Sequence, residues 1–409
     1  MRGCAADERP VFRALRSRNF AILWSGSFIA NVGIWMQSVA MGWLIYNLTN
    51  SASWLGRVGF ASSAPTLLLG LLGGAIIEHA DRKRILCGAA AVFAAGAFAL
   101  AALTTTGHIE VWMVIVISLV TGTANAFFSP VFQAVIPTLV PAEHLMNAIS
   151  LNSISFNAAR VIGPLLGGAV MTYFGPGWCF ALNGIGFLVM LGAGLMLHLP
   201  RNRPIAPMSI RQALRGGLDY ARRHPLIRVL LFLCFAMSLF GFPYIVLMPA
   251  LARDVLHLGP DGFTQLFSAV GGGAVVGGLC LALAGDVKYK GLLVVGCSTA
   301  FGALLVILAN AQSFTAAAVT LAFAGFAMIT CIAALNTLIQ TAVDEAMRAR
   351  VMSMVTVSLF GLPTLGAWLL GSLGDRVGIP LALSLGGALV VVAALAAFIV
   401  SPEIRGASD

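Results

Sequence analysis

The sequence predicts an all-α membrane protein of twelve transmembrane helices, built as two six-helix bundles related by pseudo-twofold symmetry. Three observations carry this. The 409-residue chain is 59% hydrophobic and 10% charged, with a mean hydropathy of +0.95; soluble domains hold about a quarter charged residues. Apolar runs of about 20 residues or more recur along its length, each able to cross a bilayer core of roughly 30 Å as a helix. Glycine and proline spacings in the first half return in the second. In lipid the backbone must satisfy its own hydrogen bonds, so repeated long apolar runs specify a helical bundle and exclude a β-barrel.

The spans are expected at 19–46, 53–78, 84–106, 109–137, 146–174, 177–199, 226–252, 260–284, 290–311, 313–341, 350–373 and 379–401. The longest polar break, PRNRPIAPMSIRQALRGGLDYARRHPLIR, falls between the sixth and seventh. It divides the chain into an arm (1–18), a first bundle (19–199), a linker (200–225), a second bundle (226–401) and a tail (402–409). In the linker, Ile210, Leu214, Leu218 and Ala221 share one helical face while Arg211, Arg215 and Arg222 occupy others. That pattern predicts a basic amphipathic helix lying on the membrane surface.

Of the 24 basic residues, 20 fall in segments that share one side if the N-terminus is cytoplasmic. Arg57, Arg253 and Arg376 fall outside, and Arg160 lies within a span. The bias places both termini in the cytoplasm. The net charge of +9 is thus a topogenic signal and a contact for anionic lipid, and nucleic acid is excluded as a partner. Seven cysteines without CxxC spacing read as packing residues, and six histidines near span ends read as solvated; no metal or cofactor is expected. The first apolar run is too long for a cleavable signal peptide.

Gly70-x-x-x-Gly74 in span 2 matches Gly273-x-x-x-Gly277 in span 8 at an offset of 203, and Pro164-x-x-Gly167 in span 5 matches Pro363-x-x-Gly366 in span 11 at an offset of 199. Gly175 and Gly374 keep the second offset. Small-xxx-small spacing lets backbones approach in lipid. Parallel repeats of this kind place a substrate site between the halves, near the midplane.

The loop between spans 2 and 3, GGAIIEHADRKRIL, concentrates charge in a chain that has little. A positive-inside turn accounts for Arg82, Lys83 and Arg84 but leaves Glu78 and Asp81 unexplained. Charge at a helix end can grip a neighbouring helix terminus in one arrangement and release it in another. The loop resembles the signature of the major facilitator superfamily, in the variant found in the branch of enterobactin-exporter-like secretion effectors. NFAILWSGSFIANVGIWMQSVAMGWLIYNLTNSASWLG (19–56), LNSISFNAARVIGPLLGG (151–168) and MRARVMSM (347–354) are similar to other stretches of that branch. The resemblance implies the major facilitator fold and a conformational latch holding the outward-facing state, made by Gly74, Glu78, Asp81, Arg82 and Lys83 with Arg348 and Arg350. His79 stands where the family usually has Arg, and Glu78 where it has Asp. Gly163, Pro164, Gly167 and Gly168 resemble the helix-packing motif of span 5 that is associated with export.

Arg160 is the one charge near the middle of a span. Such a residue faces a bundle interior or a water-filled cavity. It shares a stripe with Asn157 and Pro164. Asn31, Trp35 and Gln37 in span 1, Asn125 and Gln133 in span 4, and Asn336 and Gln340 in span 10 are the other candidate cavity residues. Amides there either bridge helices or line the cavity. No acid sits deep in a span, so proton antiport is implied by the resemblance alone. A Walker loop is absent, so ATP does not drive the protein directly, and no catalytic constellation stands out: an enzyme is not expected. The expected function is a monomeric secondary transporter in the bacterial inner membrane, exporting a siderophore, drug or similar amphiphile by alternating access. A lysophospholipid-like cargo is the alternative, and a non-transporting receptor or assembly partner the alternative of another class.

Overall fold

The computed structural model describes residues 10–79, 81–197, 218–285 and 288–406. Among them there is no strand. The first half contains α1 (Arg18–Thr49), α2 (Ala52–His79), α3 (Arg82–Thr105), α4 (Val111–Val135), α5 (Leu145–Phe174) and α6 (Pro176–Met196). The second contains α7 (Pro225–Val255), α8 (Pro260–Ala284), α9 (Lys290–Ala309), α10 (Phe314–Ala342), α11 (Glu345–Val377) and α12 (Ile379–Val400). Among the described residues eleven of these are long and apolar enough to cross a bilayer, and the 28-residue α2 completes the twelve.

Within the first bundle α1 packs on α5 and α6, α3 on α6, and α2 on α4; within the second, α8 packs on α10 and α9 on α10 and α12. The halves meet where α2 lies against α11 and α5 against α8. Small residues make these approaches possible, since lipid supplies no hydrophobic drive between helices. A Cβ on Gly302 would lie 2.6 Å from the Gly387 carbonyl oxygen, and one on Gly33 would lie 2.9 Å from Asn183 Cα.

Local chemistry sets the helix ends. Asp81 precedes α3 and accepts from the backbone N–H groups of Lys83 and Arg84, an N-cap. Gly175 (φ +86°) separates α5 from α6, and Gly378 (φ +93°) separates α11 from α12; glycine adopts such conformations without the Cβ penalty. These turns correct the internal alignment. The partner of Gly175 is Gly378, at an offset of 203, whereas Gly374 lies inside α11 against Ile379. The same offset pairs Gly163 with Gly366, each facing the first helix of its own bundle, and Gly168 with Gly371, each facing the other bundle. The 199 spacing of the prolines is therefore not the structural register.

Two elements depart from the expected spans. The seventh is not uniform: Met237–Gly241 and Leu251–Val255 are π-helical, flanking the segment Pro243–Ala250 that contains both Pro243 and Pro249. Proline has no N–H to donate four residues back. The Leu239 carbonyl that Pro243 leaves unbonded lies beside Gly366 of α11. The eleventh helix runs beyond 350–373 at both ends, because helix continues into the charged MRAR segment where apolar character stops. The linker residues 200–217, the side chains of Gly70, Gly74 and Glu78, and Asp286 lie outside the described residues. Residues 218–223 are helical, with Leu218 exposed and Ala221 buried. Tyr220 there donates to the Asp344 carboxylate at 3.0 Å.

Candidate functional site

Helix direction defines two faces. One carries Arg18, Arg82, Lys83, Arg84 and Arg348 and is called the basic face; α1 and α11 end at the other. Every hydrogen bond described between the two halves lies toward that opposite face, along three seams.

On the seam of α2 and α11, Asp375 caps the start of α2. Its carboxylate accepts from the Ala52 N–H (2.6 Å), the Ser53 N–H (3.1 Å) and the Ser51 hydroxyl (2.6 Å). A carboxylate here meets the positive end of the helix dipole and unbonded N–H groups. Deeper in, the Ser63 and Thr364 hydroxyls bond at 2.8 Å, and Gly361 lies under Leu67. On the seam of α5 and α8, the Thr172 hydroxyl donates to Asp261 at 2.5 Å, Gly168 meets Thr264, and Gly271 meets Val161. On the seam of α1 and α7, Tyr46 donates to Asp254, and the Arg253 guanidinium donates to Asn47 Oδ1 at 3.1 Å. Arg253 also lies 5.5 Å from the Tyr46 ring centroid. In each seam a carboxylate of the second half grips donors of the first.

Among the described residues, the hydrogen bonds of the seams stop halfway across. Arg160 stands midway along the 30-residue α5, one residue from the Val161–Gly271 contact. From there toward the basic face Ser153, Phe156 and Asn157 are exposed, as are Thr356 and Phe360 on α11. Pro164 leaves the Arg160 carbonyl without a helical N–H, and Gly271 brings α8 against that oxygen, with its Cβ position 3.5 Å away. The Arg160 guanidinium lies over the Trp35 ring, 5.6 Å from its centroid. Phe156 stands edge-on to Trp35 at 5.9 Å, and Phe267 of α8 lies 6.5 Å from it. The indole nitrogen of Trp35 and the hydroxyl of Tyr244, on α7, are buried without a hydrogen-bond partner.

The expected cavity residues thus divide. Trp35 and Arg160 meet at this apex, while Asn157, one turn before Arg160, is exposed and donates to the Ser153 carbonyl of its own helix at 2.9 Å. Gln133 and Gln340 are exposed toward the basic ends of α4 and α10, and Asn31 is partly buried on α1. Asn336 is partly buried, its carbonyl oxygen without a partner. Two amides bridge helices. Gln37 accepts from Asn183 of α6 at 2.7 Å, and Asn125 donates weakly to Thr66 of α2 at 3.5 Å. In α5, Gly163 faces Trp35 and Val32, Gly167 faces Met36 and Val39, and Pro164 is buried between them.

Of the expected latch residues, Lys83 donates to the carbonyls of Leu195 and Leu197 (2.6 and 2.9 Å), the end of α6 in its own half. Asp81 is occupied by its N-cap and by Arg84 at 3.6 Å. The Arg82 Nε is buried without a partner. Arg348 is exposed, and Arg350 lies with Nη1 3.6 Å from Met347 Sδ. Sequence reasoning missed Asp254, Asp261 and Asp375. Counting basic residues leaves acids topologically silent; the available signal was three acids within a few residues of span ends on the acid-poor side.

Comparison with known proteins agrees with this architecture. The macrolide efflux protein A of Streptococcus pyogenes is 23% identical over 397 residues, covering 94% of this chain and 96% of its own. The enterobactin exporter of Salmonella choleraesuis is 24% identical over 400 residues, covering 97% and 93%. A staphyloferrin A transporter of Staphylococcus aureus is 25% identical over 273 residues, covering 66% and 68%. Among solved structures, a bacterial homologue of the human lysosomal transporter Spinster superposes with a TM-score of 0.72 at 15% identity, covering 95% and 97%. A D-xylose–proton symporter gives 0.72 at 15%, covering 96% and 99%. The family model for transmembrane secretion effectors matches residues 10–407. Twelve long helices, two bundles and that match establish a multi-pass membrane protein that belongs to the transmembrane secretion effector family of the major facilitator superfamily.

Proposed function

We propose that the chain is a secondary transporter working by alternating access, and that it exports an amphiphilic small molecule, of siderophore or drug type, across a bacterial inner membrane. The observation that carries this is the asymmetry of the contacts between halves. The described hydrogen bonds between the halves run along three seams toward one face, while toward the other Phe156, Asn157, Thr356 and Phe360 are exposed beyond Arg160. With both termini read as cytoplasmic from the basic bias, this arrangement is the inward-facing one. Exchange with an outward-facing state requires the seams to part and the basic face to close. Glu78, Arg82 and Lys83, with Arg348 and Arg350, supply the latch for that second state; in the inward-facing arrangement Lys83 is held by its own half. The named activities of the relatives, macrolide efflux and siderophore transport, set the first cargoes to try.

Counterflow tests the reading. The purified chain in liposomes preloaded with an unlabelled macrolide or catecholate siderophore should accumulate the labelled compound transiently, without ATP. A protein that binds but does not transport would give equilibrium binding and no overshoot.

A further inference from the structure

The apex where the seams end holds a charge that the protein itself does not answer. Among the described residues, no carboxylate and no hydrogen-bond acceptor meets the Arg160 guanidinium, which lies over the Trp35 ring. Placing such a charge at mid-membrane costs about 2.5–3.5 kcal/mol on insertion scales, unless water or a counter-ion attends it. The three seam carboxylates are engaged near the far face, by α2, Tyr46 and Thr172. The field at the apex is therefore positive.

Its walls are flat and apolar. Trp35 presents one face to Arg160 and carries Phe156 and Phe267 against its flanks. Two donors stand unused in the interior. The Trp35 indole N–H is buried and unbonded, and so is the Tyr244 hydroxyl of α7. A buried donor without an acceptor is destabilising by about 1–3 kcal/mol, so both are positions where an arriving acceptor gains. Cation, flat walls and spare donors, with contributions from both halves, match one ligand chemistry.

We propose that this apex binds a planar organic anion: a carboxylate or phenolate borne on an aromatic ring. The oxyanion takes the fork of Arg160 and the spare donors, and the ring lies among Trp35, Phe156 and Phe267. The guanidinium fork matches a carboxylate in two parallel hydrogen bonds. This assignment rests on the transport reading for its location and names the class of cargo that the site selects. An anion held by Arg160 of α5 with its ring against Phe267 of α8 touches both bundles, so it can bias their relative arrangement.

Binding, not transport, tests it, so the two readings fail separately. The full chain in nanodiscs of zwitterionic lipid is titrated with 1-naphthoate and with neutral 1-naphthamide. Wild type should bind naphthoate on the order of 10-fold more tightly, the worth of one charge-assisted pair. Arg160→Gln should abolish that preference with an unchanged melting temperature. Arg160→Lys, which keeps charge without the fork, should retain part of it, and Trp35→Phe should weaken both ligands. Equal affinity of the two ligands for wild type overturns the proposal. So does a preference that survives Arg160→Gln or, should the Gln variant not fold, a preference unaltered in Arg160→Lys. Naphthoate selectivity without counterflow of any cargo would instead sink the transport reading and leave the site standing.

Discussion

Replacing Asp375 with alanine removes the whole cap that α11 places on α2. Three hydrogen bonds go: two from backbone N–H groups and one from Ser51. An N-cap substitution typically costs about 0.5–2 kcal/mol, and bonds to a charged group about 1.5–3 kcal/mol each when buried. Asp375 is exposed, and in the parted state both it and the Ala52 and Ser53 amides recover water. The discounted loss is about 1–2 kcal/mol, incurred by the sealed state alone. At 1.4 kcal/mol per factor of ten, the population should shift 5- to 30-fold, roughly, toward the parted arrangement. The assay is double electron–electron resonance between spin labels on Leu48 and Val377, after the native cysteines are replaced. The long-distance component should grow in Asp375→Ala and grow less in Asp375→Asn, which keeps an acceptor without charge. Identical distance distributions in all three proteins would refute the reasoning, since the cap would then carry no part of the seal.

The seams make further predictions. A methyl group on Gly371 would lie 2.5 Å from the Ala52 carbonyl oxygen, so Gly371→Ala should force the same parting as Asp375→Ala while leaving total helix content unchanged by circular dichroism. Tyr46→Phe deletes the donor to Asp254 and should raise the parted population several-fold, about 1 kcal/mol for one hydrogen bond. Glu78→Ala removes a residue of the proposed latch and should move the equilibrium the other way, lengthening the inward-facing dwell in single-molecule fluorescence; an unchanged dwell would mean the loop is only a topology signal. Cysteines at Gln133 and Gln340 should react with a membrane-impermeant maleimide in inside-out vesicles. A cysteine at Gln37, a position bonded to Asn183, should not.

The fold was legible because lipid leaves few choices. Long apolar runs must be helices, and Gly–Pro punctuation such as Gly175-Pro176 marks where one ends and the next begins. What escaped depends on contacts distant in sequence. Span 7 reads as one apolar run, yet Pro243 and Pro249 distort it into π turns whose freed carbonyl is met by Gly366, 127 residues later than Leu239. Arg160 and Trp35 were visible as oddities in their spans, but their stacking joins residues 125 positions apart. Gln37 and Asn125 share the polarity of cavity residues and differ only in having a helix to bridge. The seam acids were invisible to a charge count because their work is to cap and to bond across the bundles. The register of the repeat was misplaced by four residues because helical prolines recur near, but not at, equivalent positions, whereas the positive-φ glycines at 175 and 378 do.

The central claim is that the two halves rock about a site at mid-membrane, sealed on one face at a time. The direct measurement is a pair of spin-label distances under one set of conditions. One spans the seam face (Leu48 to Val377), and the other spans the basic face at the ends of α5 and α8 (Met146 to Leu283). Adding a transported cargo should shift the two in opposite senses, the seam-face distance lengthening as the basic-face distance shortens. Distances that stay fixed with cargo, or that lengthen together, would contradict alternating access in this protein.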